Sequence, residues 1–414
     1  LEAIGKFMDV NIYDIVVIGA GVAGSMSALL AAREGLRTLL VERHTFPRHK
    51  VCGCCLNGRA VSMLKEARLW SGLLSLTPNE TSSLAVRCRG SKLDLPMPQN
   101  VAVSRYKLDY WLSREAVAAG AELRENILAS VVPIDDEIAT SASQGVSGQV
   151  IAQDKPNSQP SLRHIELKLA TGGGSSSVVA AKTIVVCDGL GHPSLSRLTR
   201  FQAQPVPGAR IGLGAVITRT NKDAWIDPHA ILMAVAPHGY AGVVEIEEGQ
   251  LDLAAAVDAS HLNATKSPVR TLQAIFESAG IECPDGLSSA SIKGTVPLTR
   301  AATHICGHRL LLLGDSTGYV EPFTGEGMAW ALTAATAVVP VLKAGVREWT
   351  SQLETQWTST FRQIVRREQT ICRMLSSALR RSWVLPPLMM TCRMFPSFTQ
   401  QLVRQINRVP QFAH

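Results

Sequence analysis

The sequence predicts an α/β fold: a parallel-sheet domain that binds a dinucleotide, an antiparallel sheet inserted into it, and a helical C-terminal region. Three observations carry this. Between residues 13 and 42 an apolar strand, a glycine-rich turn, a helix and a second strand follow one another, the order of a βαβ nucleotide unit. Residues 208–299 change texture to short apolar runs separated by turn residues. From residue 327 onward helical patterning runs to the end.

Ile15, Val16, Val17 and Ile18 form an unbroken apolar run, as a parallel strand buried on both faces requires. Gly19, Gly21 and Gly24 then spell GxGxxG where a helix begins. The first permits the tight turn, the second lets backbone approach a pyrophosphate, and the third lets the helix pack close to the strand. The helix starts near Val22, so its positive end faces the diphosphate, and Gly35 ends it. Glu42 closes the next strand, where a carboxylate can hold ribose hydroxyls.

A Cys/Gly-rich loop and a helical segment over 58–69 follow, then a hairpin from 83–89 and 91–96. The spacing of Leu108, Trp111, Leu112 and Ala116 predicts a helix over 106–119. Segments 121–132 and 164–170 read as strands around a polar loop (135–160) and 172–177 as a turn, before a buried strand over 178–187 reaches Asp188-Gly189. In the insertion, strands are expected at 211–218, 230–236, 242–246, 251–257 and 289–296. The chain returns with an apolar strand at 310–313, Gly314-Asp315 and a helix from about Gly327. The boundaries drawn are 9–80, 101–205 and 300–340 for the nucleotide domain, 81–100 and 206–299 for the sheet, and 341–414 for the basic helical region.

A chain of 414 residues, 46 % hydrophobic, has the size for two lobes and not the composition of a disordered protein. The absence of a run of about 18 uncharged apolar residues argues against a spanning helix. With no signal-like N-terminus, the expected compartment is the cytoplasm, and residues before Met8 read as a frayed start. Nine scattered cysteines argue for reduced thiols. Cys52, Cys54 and Cys55 cluster but lack the second ligand pair of a zinc site, so no metal is expected.

The net charge is +7, and from residue 341 onward eleven Lys and Arg face only three Glu. Such a tail, also rich in Leu, Met, Trp and Phe, can make peripheral contact with an anionic membrane or serve acidic ligands. A solvated helix face beside a core face is the plainer reading. No RNA-binding module is visible, so no nucleic-acid partner is expected.

Three separated signals then line up: Gly19–Gly24 with Glu42, Cys187-Asp188-Gly189 after a buried strand, and the stretch from Leu312-Leu313-Gly314-Asp315 to Glu326-Gly327. Together they resemble, over about residues 13–340, the FAD-dependent oxidoreductase superfamily of aromatic-ring hydroxylases, geranylgeranyl reductases and flavin-dependent halogenases. The resemblance implies a Rossmann-like FAD-binding domain with an inserted antiparallel β-sheet substrate domain. It implies that Gly19, Gly21, Ala23 and Gly24 hold the FAD diphosphate and Glu42 the adenosine ribose, with Arg43 and Leu128 as further cofactor contacts. Arg105, in an Arg-x-x-x-Asp-x-x-Leu pattern with Asp109 and Leu112, and Asp188-Gly189 would also contact the diphosphate. Asp315 would serve the ribityl and diphosphate region as a buried acid. The loop carrying Pro322, Thr324, Gly325 and Gly327 would lie against the flavin ring. Arg48-x-Lys50-x-Cys52-Gly53 resembles a segment of the geranylgeranyl reductases in which the cysteine approaches the flavin. Cys52 is thus either at the reaction centre or a buried inert thiol.

The reaction type is less marked. Gly239–Glu245 lacks the Trp and Phe-Pro of the geranylgeranyl reductases, the tryptophan-halogenase Trp-x-Trp-x-Ile-Pro is absent, and Leu190–Ser194 departs from hydroxylase spacing. The first expectation is a monooxygenase of a lipophilic small molecule, phenolic or polyketide-derived as in secondary metabolism, with NAD(P)H as a transient electron donor. Strands 211–216 and 230–236 would line its pocket, with His238, Tyr240 and Glu245 as polar groups of no assigned catalytic role. Isoprenoid saturation and halogenation are the alternatives, and a flavin redox sensor or electron carrier using Cys52–Cys55 is the alternative of another class.

Overall fold

The computed structural model describes residues 10–134, 137, 161–172, 176–321, 325–380 and 384–395. The strand Ile12–Ile18 pairs in parallel with Thr38–Val41 on one side and Ser177–Val186 on the other, and Leu310–Leu312 continues the sheet in parallel. The register places Ile18 beside Val41 and Val186, and Leu312 beside Val186. Four parallel strands therefore end in line, and the residues that follow each of them meet at one edge. Open α/β sheets bind ligands at this edge.

Helix Val22–Arg33 packs against helices Arg105–Ala118 and Gly327–Ala337 beside this sheet. Arg105–Ala118 is capped by Ser104, whose side chain accepts from the Lys107 N–H, and buries Leu108, Trp111, Leu112 and Ala116 as the spacing predicts. The expected strand over 121–132 is broken into Glu122–Arg124 and Ile127–Val131, with Asn126 at φ +58° between them. The two pieces have different partners: the first runs parallel to Thr38–Val41, the second antiparallel to Arg163–Leu169.

The second sheet has eight strands in the order Lys293–Pro297, Ile211–Thr218, Gln250–Val257, Gly239–Glu245, Ala230–Ala236, Asn79–Cys88, Ser91–Ala102 and Cys55–Leu56. It is antiparallel except where Ala230–Ala236 runs parallel to Asn79–Cys88. The expected strand at 289–296 starts late, because residues 285–289 form a 3₁₀ turn.

Helix Pro268–Ala279 was not anticipated, although Ser267 caps it, Pro268 opens it and Gly280 closes it in the left-handed conformation. It covers one sheet face by packing chiefly on strand Ala230–Ala236, in a buried cluster that joins Leu272, Ile275 and Phe276 to Leu232 and Ala234. The opposite face carries Tyr240, Val244 and Ala256, and meets Cys54, Cys55 and the C-terminal helix Leu385–Met394 through Leu385, Met389 and Cys392.

Gly327–Arg347 is long and apolar enough to cross a membrane by composition, contrary to the expectation from sequence, but two-thirds of that window (67 %) is buried inside the protein. Burial against the core accounts for its hydropathy. Beyond it, Ser351–Phe361 and Arg367–Leu379 flank a π-helical turn at Arg362–Arg366. Arg59, in helix Gly58–Glu66, is 1 % exposed and ties this segment down. It donates to Thr333 Oγ1 (3.1 Å) and Ile364 O (2.9 Å) and pairs with Glu368 (2.6 Å). Removing one partner of such a pair strands the other. Arg59→Met should therefore lower unfolding free energy by about 3–5 kcal/mol in urea titration, with the 351–394 helices losing hydrogen-exchange protection first.

Candidate functional site

At the aligned strand ends lies a cleft open to solvent. Ile18, Gly19, Gly21, Glu42, Arg43, Arg48, Leu128 and Asp188 line it, among others. Its floor is shaped by close packing. A Cβ on Gly24 would stand 1.8 Å from Gly19 O, and one on Gly19, at φ +98°, would stand 2.5 Å from Cys187 O. Gly21 differs: a Cβ there would meet only Arg105 Nη2 at 3.5 Å. Gly19 and Gly24 are thus required by the fold, whereas Gly21 leaves backbone open beside a guanidinium.

A chain of charges borders this opening. Glu42, 4 % exposed, accepts from the Ala20 and His44 N–H groups (both 3.0 Å) and pairs with Arg48 at 3.2 Å. Arg48 also reaches Asp109 (3.0 Å), and Asp109 holds Arg105 through two bonds of 2.7 Å. Burial alone would raise the Asp109 carboxyl, but Arg105 and Arg48 outweigh it and hold it below its ordinary range. The same pairing keeps the buried Arg105 charged despite its loss of water.

Asp188 stands at the edge of the cleft as expected, whereas Asp315 is less buried than expected. The Asp188 carboxylate is engaged by Ser194 N–H and Oγ (3.0 and 2.6 Å) and by Ser316 Oγ (3.2 Å), and Ser316 Oγ also accepts from the Gly189 N–H. It fixes the loops at the cleft's edge. Asp315, in the short 3₁₀ turn Gly314–Thr317, is not buried: its side chain is 25 % exposed and stands 3.5 Å from Lys50 Nζ. Ala23, in the first turn of its helix, backs onto Gly314. Ser194, Ser316 and Lys50 were not singled out as site residues, although each lay in a stretch quoted from the sequence.

The Cys52 loop joins the cleft to the second sheet. Val51 fills the space over Gly214, and a Cβ on Gly53 would touch that of Ala254 at 4.0 Å. A Cβ on Gly325, at φ +80°, would lie 3.3 Å from that of Cys55, so the chain leading into helix Gly327–Ala337 flanks the same loop. Pro322 and Thr324 lie outside the described residues. Cys52 is half-buried. A hydrogen bond from the Cys54 thiol, and then Arg105, draw its pKa down to about 5, while burial opposes them. Cys54 is pushed up by donating to Cys52 and by burial, and Cys55 is pushed up by burial and Asp252.

The three polar groups expected in the pocket are all engaged. Glu245 binds Arg219, His238 stacks on His261 (centroids 4.6 Å apart), and the Tyr240 ring lies under the Arg210 guanidinium at 5.7 Å. Arg210 itself pairs with Asp258 (3.0 Å) and Glu321 (3.4 Å).

A glycine-lined helix N-terminus, a charged Arg105 above open backbone and an anchored acidic strand end fit a bound dinucleotide. The residues from 12 to 366 match the family model described as "FAD binding domain", and the chain belongs to that family of flavin-dependent oxidoreductases. It is 26 % identical over 365 residues to the menaquinone reductase of Mycobacterium tuberculosis, covering 84 % of this chain and 81 % of that one. It is 25 % identical over 339 residues to the digeranylgeranylglycerophospholipid reductase of Methanosarcina acetivorans, covering 78 % and 73 %. Among solved structures, a flavin-dependent brominase aligns with TM-score 0.71 at 17 % identity, covering 96 % and 94 % of the two chains. A geranylgeranyl bacteriochlorophyll reductase-like protein of Thermoplasma acidophilum aligns with TM-score 0.69 at 18 %, covering 90 % and 88 %. These two structures establish the shared fold.

The geometry makes two measurements decisive. Gly24→Val should yield protein purified without flavin absorbance, because the added carbons would force the helix off Gly19. Iodoacetamide alkylation of Cys52 in flavin-free protein should already be on its plateau at neutral pH. Arg105→Met should move that midpoint upward by about one to three pH units.

Proposed function

We propose that this protein is an FAD-dependent reductase that saturates a carbon–carbon double bond in a prenylated lipid or quinone. The observation that carries the reading is the surface opposite the Cys52 loop. There Ile231, Met233, Val235, Val244 and Ala256 pack with Leu385 and Met389 of the C-terminal helix into one buried apolar cluster. Displacement of that helix would expose an apolar face suited to an isoprenoid chain, which offers no polar handle. The support from relatives is that those named as menaquinone and digeranylgeranylglycerophospholipid reductases match this chain over most of their length.

FAD, when bound, would supply hydride chemistry, with NAD(P)H or a separate reductase as the source of electrons. The residues around it have separable tasks. Gly19, Gly21 and Arg105 hold the diphosphate, and Glu42 orients the ribose. Lys50 and Asp315 close the ribityl side, and the Cys52 loop separates the cofactor from the apolar face. A lipophilic substrate also needs a way in. Met374, Met390, Met394 and Phe395 are each more than half exposed, and exposed Arg373 and Arg393 lie among them. Apolar side chains rimmed by arginines are what an anionic membrane surface binds.

Incubation of reduced protein with a prenylated quinone under anaerobic conditions, followed by mass spectrometry, should give a product two hydrogens heavier. Substrate-stimulated oxygen uptake with a hydroxylated product would instead support the monooxygenase expected from sequence, and halide incorporation a halogenase. The protein should sediment with phosphatidylglycerol vesicles and not with phosphatidylcholine alone. Replacing Arg373 and Arg393 by Gln should weaken that binding by about 2 kcal/mol.

A further inference from the structure

Arg210 lies immediately before strand Ile211–Thr218, and only 1 % of it is exposed. A buried guanidinium is costly unless its N–H groups find acceptors. Nε donates to Asp258 (3.0 Å) and Nη1 to Glu321 (3.4 Å). Nη2 carries two of the five N–H groups, yet it is buried and meets no acceptor among the described residues. The Tyr240 ring, 5.7 Å from the guanidinium carbon, attracts the charge but supplies no oxygen to the free nitrogen.

The sheet register fixes where this guanidinium stands. Gly212, Ala256 and Tyr240 lie in one row across three strands, and Gly214, Ala254 and Gly242 form the row two residues further on. Side chains two residues apart share a face. Arg210 therefore stands on the face of Tyr240 and Ala256, which belong to the apolar cluster completed by helix Leu385–Met394. Val51 and Gly53 of the cysteine loop settle on the second row, against Gly214 and Ala254. From Arg210 to Gly214 the strand advances four residues, about 13 Å. Glu321, the other partner of Arg210, opens the segment that leads to Gly325 beside Cys55. One end of the apolar face thus carries an unclaimed donor, and the cysteine loop lies further along it.

We propose that Arg210 Nη2 donates to a carbonyl oxygen of a prenylated quinone, whose chain runs from there along the Tyr240 and Ala256 row toward the Cys52 loop. The inference rests on the reductase reading, and it selects the quinone from the two substrate classes which that reading allows. Charge makes the selection. Asp258 and Glu321 both face Arg210, and Arg380, bonded to the Gly208 carbonyl (2.9 Å), is a second cation close to Glu321. Two cations against two carboxylates leave no surplus positive charge. A neutral carbonyl completes Nη2 without disturbing that balance. A phosphate would bring uncompensated negative charge into the interior.

The test reads binding separately from turnover, with FAD-loaded wild type and Arg210→Lys. Lysine keeps a charge for Asp258 and Glu321 but lacks the planar fork that supplies the extra donor. The probes are a prenylated quinone labelled with carbon-13 at its carbonyls, an isoprenoid hydrocarbon of similar length and a prenyl phosphate. In wild type, one infrared carbonyl stretch of the bound quinone should fall below that of the free quinone; an unshifted pair overturns the assignment, even where the variant fails to fold. Arg210→Lys should abolish the shift and weaken quinone binding by about 10-fold or more, with hydrocarbon binding and flavin content unchanged. A variant that keeps the shifted band, or a wild type that binds prenyl phosphate more tightly than quinone, also overturns it. The two readings fail separately. A shifted carbonyl on a quinone whose double bonds stay intact sinks the reductase and leaves Arg210 as the binding residue. Saturation of a quinone whose carbonyls are unshifted leaves the reductase and removes Arg210 from the site.

Discussion

The contact between Gly24 and the Gly19 carbonyl sets the rest of the molecule. With only a hydrogen at Gly24, helix Val22–Arg33 can rest on the turn that follows the first strand. That contact aims the helix N-terminus at the line where four parallel strands end. Everything that could hold a diphosphate is placed relative to this line. The helix in turn packs against Arg105–Ala118 and Gly327–Ala337, so Arg105 and the start of helix Gly327–Ala337 inherit their positions from it.

Charge is organised around the same line as a chain, not as isolated pairs. Glu42, Arg48, Asp109 and Arg105 alternate in sign, and each inner member has two partners. Buried ions are costly unless their remaining bonding capacity is used. Here Glu42 takes two backbone N–H groups, and Arg105 ends the chain beside Cys52, whose pKa it helps to lower. The arrangement leaves a fixed positive charge beside the open backbone of Gly21 and carries that field to the cysteine loop. The cofactor cleft and the apolar sheet are therefore electrostatically connected through Arg105 and Cys52.

The second sheet supplies what the cleft lacks. One face is sealed by helix Pro268–Ala279, and the other is left to the cysteine loop and the C-terminal helix. The C-terminal helices are amphipathic. Their buried side completes this face, and their exposed side carries the methionines and arginines of the proposed lipid contact. Arg59 holds the base of these helices through the Ile364 carbonyl in the π-helical turn. A single buried arginine thus couples the outer helices to the core.

The sequence by itself determined the nucleotide unit. Gly19, Gly21, Gly24 and Glu42 are close in the chain, and their spacing has a steric meaning that does not depend on distant contacts. The helix carrying Arg105 was legible for the same reason, through its periodic apolar face. Ser267, Pro268 and Gly280 were equally local signals for a helix, but the strand texture around them masked it. Tertiary structure alone decided the roles of groups whose partners lie far away in sequence. Asp188 is tied to Ser316, and Asp315 is partly exposed beside Lys50, because loops after separate strands converge. Arg210 reads in the chain as an ordinary charged residue before a strand. Only the convergence of Asp258, Glu321 and Tyr240 turns it into a buried guanidinium with one nitrogen unclaimed, since burial and partnership are properties of packing and not of composition.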